Sequence, residues 1–143
     1  VGEGRQPLND LWIMNPDGTD RRQLTQDLGV LGGLPRWSPN GQWIAFSAYA
    51  AYESKFSSYD LWLIKPTGDA LQRLTYDLDL GPYDPSHDPA VEDTQPQWSP
   101  DGTQLVFFKS SNQVWMLSLI DGSRRRLLQS ENNLYDSGLI ITP

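Results

Sequence analysis

A motif that occurs twice constrains this sequence more than any other feature. It is RWSPNGQWIAFS at residues 36–47 and QWSPDGTQLVFF at residues 97–108. A second motif accompanies it in three copies: DLWIMNPDGTDRRQLTQDL from Asp10, DLWLIKPTGDALQRLTYDL from Asp60, and the looser QVWMLSLIDGSRRRLLQS from Gln113. These copies begin 50 and then 53 residues apart. Repeats near this length are typical of propeller blades or helical arrays.

The short apolar runs and frequent turn residues of the repeat favour β-structure. Its apolar runs are short, and each is bounded by Pro, Asn, Asp or Thr next to Gly, whereas no window shows a helical period over ten or more residues. The Trp-Ser-Pro-Asx-Gly segment predicts a tight turn between a first and a second strand. The Leu-Trp segment supplies a third strand, and a second turn leads to a fourth. The sequence therefore predicts an all-β fold whose unit is a blade of four antiparallel strands.

The two P-x-W-S-P-[ND]-G-x-x-[IL]-[AV]-F segments, each followed by Leu-Trp and then (in the first blade) Leu-Thr, resemble the repeat of the TolB-type β-propellers, which are relatives of the WD-type family. The resemblance covers about residues 8–129. It implies a propeller fold, but the repeat occurs in the periplasmic Tol-Pal component, in propellers attached to peptidases and other hydrolases, and in extracellular parts of bacterial signalling proteins. Fold alone does not choose between these activities.

The repeat divides a single domain, residues 1–143, into about eleven strands of a partial propeller. We expect a half blade at 8–28, full blades at 34–76 and 95–129, and the first strand of a further blade at 138–143. Propellers typically contain 4–8 blades. Two interpretations stay open: the sequence is a piece of a longer propeller, or two chains associate head to tail and close a six-bladed ring.

Composition excludes several classes of partner. The formal net charge of −7 argues against a general nucleic-acid binder, which needs a surplus of Lys and Arg. No apolar run approaches the ~18 residues of a membrane span, so we expect no membrane insertion. There is no cysteine, which removes disulfides and thiol catalysis.

Two long connections are the candidate binding region, residues 47–59 and 76–94. The resemblance implies that both open on one face of the propeller, opposite the tight turns. Long loops on a rigid scaffold often carry binding residues. Solvated acidic loops and tyrosines packed on their own blade are the alternative. The candidate binding residues are Tyr49, Tyr52, Phe56, Tyr83, Asp84, His87, Asp88 and Asp93.

Catalytic and metal chemistry have little support. His87 is the only histidine, and the nucleophile elbow G-x-S-x-G does not occur. The Asn15 to Asp20 segment begins like a calcium loop, but Gln26 stands where the bidentate Glu would be. We predict no metal site, no cofactor and no intrinsic enzyme activity.

The repeated tryptophans and arginines have structural interpretations. The repeat suggests that tryptophans at equivalent positions pack between blades, and that arginines beside the fourth strand protect a sheet edge from further strand addition. The tryptophans are Trp12, Trp37, Trp62, Trp98 and Trp115; the arginines are Arg21, Arg22, Arg73, Arg124, Arg125 and Arg126.

The predicted function is that of a non-catalytic binding or scaffold module. It would recognise a protein or peptide through the long-loop face or the central channel. The alternative is an accessory propeller that gates or positions substrate for the catalytic domain of a hydrolase or peptidase. The resemblance implies a periplasmic or extracellular location.

Overall fold

The computed structural model describes residues 9–32, 35–49, 59–75 and 92–134. Within these ranges the chain forms antiparallel strands and no helix, so none of the described segments is a helix able to cross a membrane. The strands are β1 (Trp12–Ile13), β2 (Arg22–Gln23), β3 (Arg36–Trp37), β4 (Ile44–Tyr49), β5 (Tyr59–Ile64), β6 (Gln72–Arg73), β7 (Asp93–Trp98), β8 (Gln104–Lys109), β9 (Gln113–Ser118) and β10 (Arg124–Gln129).

Three sheets contain these strands. The first sheet holds β1 and β2, the second holds β3 to β6 in chain order, and the third holds β7 to β10 in chain order. Every pairing is antiparallel. The predicted fold class is confirmed: the chain is all-β, with sheets of two, four and four strands that are consistent with a partial propeller. The predicted strand at 138–143 lies outside the described residues.

The repeated Ser-Pro-Asx-Gly segment builds the turn between the first two strands of a sheet. The Ser38 hydroxyl donates to Asn40 Oδ1 at 2.7 Å and accepts from the backbone N–H of Trp43 at 2.9 Å. Ser99 and Asp101 repeat this arrangement in the third sheet. The motif is therefore a turn, in which Ser and Asx satisfy backbone and side-chain groups that the short loop leaves unpaired.

The core lies between sheets rather than inside any one of them. Alternate side chains of the second sheet point to its two faces, as strand geometry requires. Phe46 and Ile64 pack with Leu11 of the first sheet, while Ala45 and Leu63 pack with the buried residue Leu105 of the third. Each sheet therefore buries an apolar face only through its neighbour, which is the packing logic of a propeller.

An Asp and a buried Thr tie the outer strand to the third strand in two sheets. Thr75 Oγ1 accepts from the Leu61 N–H at 3.0 Å and donates to Asp60 Oδ1 at 3.3 Å. Thr25 and Asp10 make the same contacts in the first sheet.

The third sheet replaces this pair. Gln113 and Gln129 occupy the corresponding positions and lie opposite each other, after the register of β10 shifts between Arg126 and Leu128. All six residues of β10 are exposed. Its outer strand is thus held by ladder hydrogen bonds without the Asp–Thr tie of the other two sheets.

The tryptophans divide into two groups. Trp62 and Trp115 pack in the apolar clusters between sheets. Trp98 packs there too, and its Nε1 donates to the carbonyl of Arg36 in the second sheet at 3.0 Å. Trp12 and Trp37 are about half exposed. Packing between blades therefore describes three of the five repeated tryptophans in the described part of the chain.

The arginines of the outer strands make contacts that the sequence did not predict. Arg22 donates to the Pro66 carbonyl of the second sheet at 2.6 Å, and Arg124 donates to the Leu74 carbonyl of the same sheet at 3.3 Å. Arg73 pairs with buried Asp60 at 2.5 Å within its own sheet. These side chains join strands and sheets as well as placing charge at an edge.

Candidate functional site

The structure describes two of the predicted binding residues, Tyr49 and Asp93. The other predicted residues lie outside the described residues, and their role stays a prediction: Tyr52, Phe56, Tyr83, Asp84, His87 and Asp88.

Tyr49 ends β4 and Tyr59 begins β5, so the two residues face each other across the ladder at the base of the loop between them. Their rings stack with centroids 4.2 Å apart and an interplanar angle of 27°. Tyr59 lies in the predicted long connection at residues 47–59, yet the sequence gives no signal that it pairs with Tyr49. That signal lies in the strand register, which places position 49 opposite position 59.

Gly29 makes room for this tyrosine pair. Its carbonyl accepts from the Tyr49 N–H at 3.2 Å, and its φ of +68° is the left-handed region that favours glycine. A Cβ at this position would lie 2.7 Å from Tyr49 Cδ2. The backbone of residue 29 therefore packs directly under the Tyr49 ring.

The environment of the pair keeps Tyr59 protonated. Burial raises the pKa of the Tyr59 hydroxyl well above its ordinary value, and the hydrogen bond with Tyr49 and the charge of Glu92 act in the same direction. The result is an aromatic pair with neutral Tyr59 beside a carboxylate, an arrangement suited to cations and to groups that accept a hydrogen bond.

Asp93 is engaged within the fold. It is 1% exposed, and its Oδ1 lies 3.3 Å from Lys109 Nζ, directly across the β7–β8 ladder. A buried carboxylate needs such a partner because desolvation disfavours its charged form. Direct contact of Asp93 with a ligand stays a prediction, and Glu92 is the neighbouring acid that accompanies the tyrosine pair.

The opposite edge of the sheets carries the tight turns. Four exposed aspartates there have lowered pKa values because nearby Ser or Thr groups donate to them: Asp17, Asp69, Asp101 and Asp121. In the described ranges, no cluster of three or more His, Cys, Asp or Glu side chains is arranged to hold a metal ion.

A groove lies between residues of the first sheet and Trp37 of the second. This groove of about 220 Å³ is lined by Ile13, Met14, Asn15, Asp20, Arg22 and Trp37. Arg21 lies over the Trp12 ring nearby, 4.7 Å from its centroid. Sequence reasoning did not single out this surface, because it needs the positions of two different repeats at once.

Solved structures with similar folds are β-propeller proteins. A putative TolB from Agrobacterium tumefaciens has a TM-score of 0.59 and 22% identity; the match covers 83% of this chain and 40% of that one. TolB from Acinetobacter baumannii has a TM-score of 0.59 and 20% identity, with 87% and 27% covered. An oligogalacturonate lyase in complex with manganese has a TM-score of 0.60 and 20% identity, with 90% and 32% covered.

These likenesses establish the fold. This chain spans between about a quarter and two fifths of the length of those proteins. No protein-family model matches the chain, and no curated protein matches it.

Proposed function

We propose that this chain is a non-catalytic binding module of the TolB-like propeller type, which recognises a protein or peptide through the face that carries its long loops. We further propose that it works in the periplasm or outside the cell, as the resemblance to TolB-type repeats implies. The proposal concerns recognition only, and no cofactor takes part in it.

The Tyr49–Tyr59 pair is the observation that carries this proposal. It joins the ends of two strands of the second sheet, so the rigid ladder fixes the aromatic surface at the base of the loop 50–58. Aromatic side chains with polar tips are common anchors in protein recognition, because they bury a large area at a small cost in conformational entropy. The charge of Glu92 beside the pair favours a partner with basic groups.

Site-specific photo-cross-linking tests the proposed face. A photo-reactive phenylalanine analogue replaces Tyr52 in one variant and Asp121, on the turn edge, in a second. Both are exposed to an extract of cells that make the protein. We expect a cross-linked protein from position 52 and none from position 121. Equal cross-linking from both positions contradicts the proposed face.

The purified partner then provides an affinity test. We expect Tyr52→Ala or Asp88→Asn to weaken binding by about tenfold or more, the usual effect of losing an anchor. Asp17→Asn, on the turn edge, is the matched control and should leave the affinity unchanged. An affinity that is insensitive to the first two changes overturns the proposal.

A second candidate is supported by the similarity to an oligogalacturonate lyase. In it, the chain forms part of a propeller that positions substrate for a catalytic centre. Titration of the chain with oligogalacturonate, with and without manganese, separates the two candidates by calorimetry. Saturable binding favours the second candidate, whereas protein cross-links at position 52 without such binding favour the first.

A further inference from the structure

The first sheet exposes an apolar surface, whereas the equivalent surfaces of the other two sheets are buried. In the described residues β1 pairs only with β2, so its other edge faces away from the ladder. Trp12 is 48% exposed and Met14 is 61% exposed. Trp37, from the second sheet, is 52% exposed and lines the same groove as Met14. We name these three side chains the open face.

The repeat shows what normally covers two of these positions. Trp12 corresponds to Trp62, and Met14 corresponds to Ile64, which is fully buried. Trp62 lies opposite Phe46, and Ile64 lies opposite Ile44, because β4 pairs along the inner edge of β5. The covering group is therefore a second strand placed beside the third strand of the same sheet.

The third sheet repeats this arrangement independently. Trp115 lies opposite Phe107, and Leu117 lies opposite Leu105, since β8 pairs along the inner edge of β9. Leu105, Phe107 and Leu117 are all buried. In both complete sheets, an antiparallel strand with apolar residues at alternate positions thus covers the surface that β1 exposes.

Trp37 supplies a third, separate indication. Its counterpart Trp98 donates from Nε1 to the carbonyl of Arg36, which begins the innermost strand of the preceding sheet. In the part of the chain that the structure describes, the Trp37 indole has no such acceptor. An innermost strand beside the first sheet would supply one. The open face therefore matches two strands at once, an inner one for Trp37 and a second one for β1.

We propose that the open face binds an antiparallel β-hairpin of the kind this chain forms at residues 97–109. Its second strand adds to the free edge of β1 and covers Trp12 and Met14. Its first strand directs a backbone carbonyl to Trp37 Nε1. Main-chain hydrogen bonds give such strand addition its affinity, and alternate side chains in the groove give it specificity.

A peptide added in trans tests this proposal. The probe is the synthetic peptide QWSPDGTQLVFFK, the sequence of residues 97–109. The N–H groups of Trp12 and Met14 point to the free edge, because Leu11 and Asn15 bond on the β2 side. We expect the peptide to slow amide exchange at Trp12 and Met14 by about tenfold or more, since a paired edge is protected from solvent. The control peptide carries Pro at the position of Val106, which removes a ladder donor. Equal protection by both peptides overturns the proposal.

Variants of the chain locate the binding surface. Met14→Glu should abolish the protection because it buries a charge in the groove. Ile120→Glu, at a side chain that is 80% exposed on the turn edge, is the matched control and should leave it unchanged. If Ile120→Glu abolishes the protection as well, the hairpin does not bind at the open face.

A covalent version covers the case in which the free peptide does not fold. The same hairpin is fused ahead of the chain through a flexible Gly-Ser linker, which raises its effective concentration to the millimolar range. We expect a higher urea midpoint than for a fusion with a scrambled hairpin. Equal midpoints overturn the proposal.

Sedimentation distinguishes a second occupant. If the unmodified chain forms a dimer that Met14→Glu dissociates, a second copy occupies the open face, and the hairpin is not its occupant. A monomer at all concentrations is the expected result.

Discussion

At the scale of single residues, small polar groups and glycines determine where this chain turns and how closely its segments pack. Ser38 and Asn40 satisfy each other and the backbone inside one turn. Gly29 allows its backbone to lie under the Tyr49 ring. These roles depend on one missing Cβ or one hydroxyl, so they respond sharply to single substitutions.

The two glycines Gly29 and Gly41 give a matched comparison. Both have a left-handed φ, +68° and +69°, but a Cβ meets Tyr49 only at position 29, whereas position 41 opens to free space. We expect Gly41→Ala to lower the free energy of unfolding by about 1–2 kcal/mol through backbone strain alone. Gly29→Ala should cost more, because the tyrosine ring must also move. Urea denaturation measures both.

Spectroscopic titration of the tyrosines checks the cause. In Gly29→Ala the pKa of Tyr59 should fall toward its ordinary value as the stack loosens, whereas in Gly41→Ala it should stay raised. Equal losses of stability in the two variants, with the pKa of Tyr59 unchanged, would show that the contact with Tyr49 is unimportant.

At the scale of the strands and turns, the same hydrogen-bonded turns recur in each sheet, but equivalent side chains have different neighbours. Each hairpin turn holds a Ser or Thr next to an acidic or amide side chain. Tryptophan at the end of a first strand is inserted between sheets at Trp98 but is half exposed at Trp37. Equivalent residues therefore contribute differently according to what lies beside their sheet.

Trp98 and Trp37 make this difference measurable. Trp98→Phe removes the hydrogen bond to the Arg36 carbonyl and part of the apolar contact between the sheets. We expect it to lower the free energy of unfolding by about 1–2 kcal/mol. Trp37→Phe should change it by less than about 0.5 kcal/mol. Equal effects in urea denaturation would refute the assignment of Trp98 to the interface between sheets.

The turn that contains Asp121 predicts a dependence on acid. Hydrogen bonds from Ser118 and then from the backbone and side chain of Ser123 lower the pKa of Asp121 from an ordinary 3.8 to about 2. A carboxylate with a depressed folded-state pKa stabilises the fold above the unfolded pKa, and this contribution is lost as pH falls through the folded one.

We therefore expect the stability that depends on Asp121 to be constant above about pH 5 and to decline between about pH 4 and 2. Carboxyl titration by NMR measures the pKa directly, and Ser118→Ala should raise it toward its ordinary value. If Asp121→Asn leaves the acid dependence of the unfolding free energy unchanged in this range, the turn does not contribute in this way.

At the scale of the whole molecule, the sequence was sufficient to predict the fold class because its signals are local. Turn residues and alternating apolar runs lie within a few positions of each other, and they determine antiparallel sheets of four strands. The pairing of Asp93 with Lys109, the stack of Tyr49 on Tyr59 and the Arg22 contact with Pro66 depend on the register of separate segments. Such contacts become visible only when those segments are placed in three dimensions.

The replacement of the Asp–Thr tie in the third sheet has a consequence for proteolysis. β10 carries Arg124, Arg125 and Arg126 on a fully exposed, bulged strand. Local opening requires less free energy where few buried contacts hold a segment, and proteases cleave the open form. Trypsin should therefore cleave after these arginines before it cleaves after Arg73, whose guanidinium is held by Asp60.

Limited digestion followed by mass spectrometry gives the order of cleavage, and early cleavage after Arg73 would refute it. Gln129→Thr together with Gln113→Asp, which restores the pair found in the other sheets, should delay the first cut. The outer strand of the third sheet would then be the segment most susceptible to proteolysis, and two substitutions would be enough to protect it.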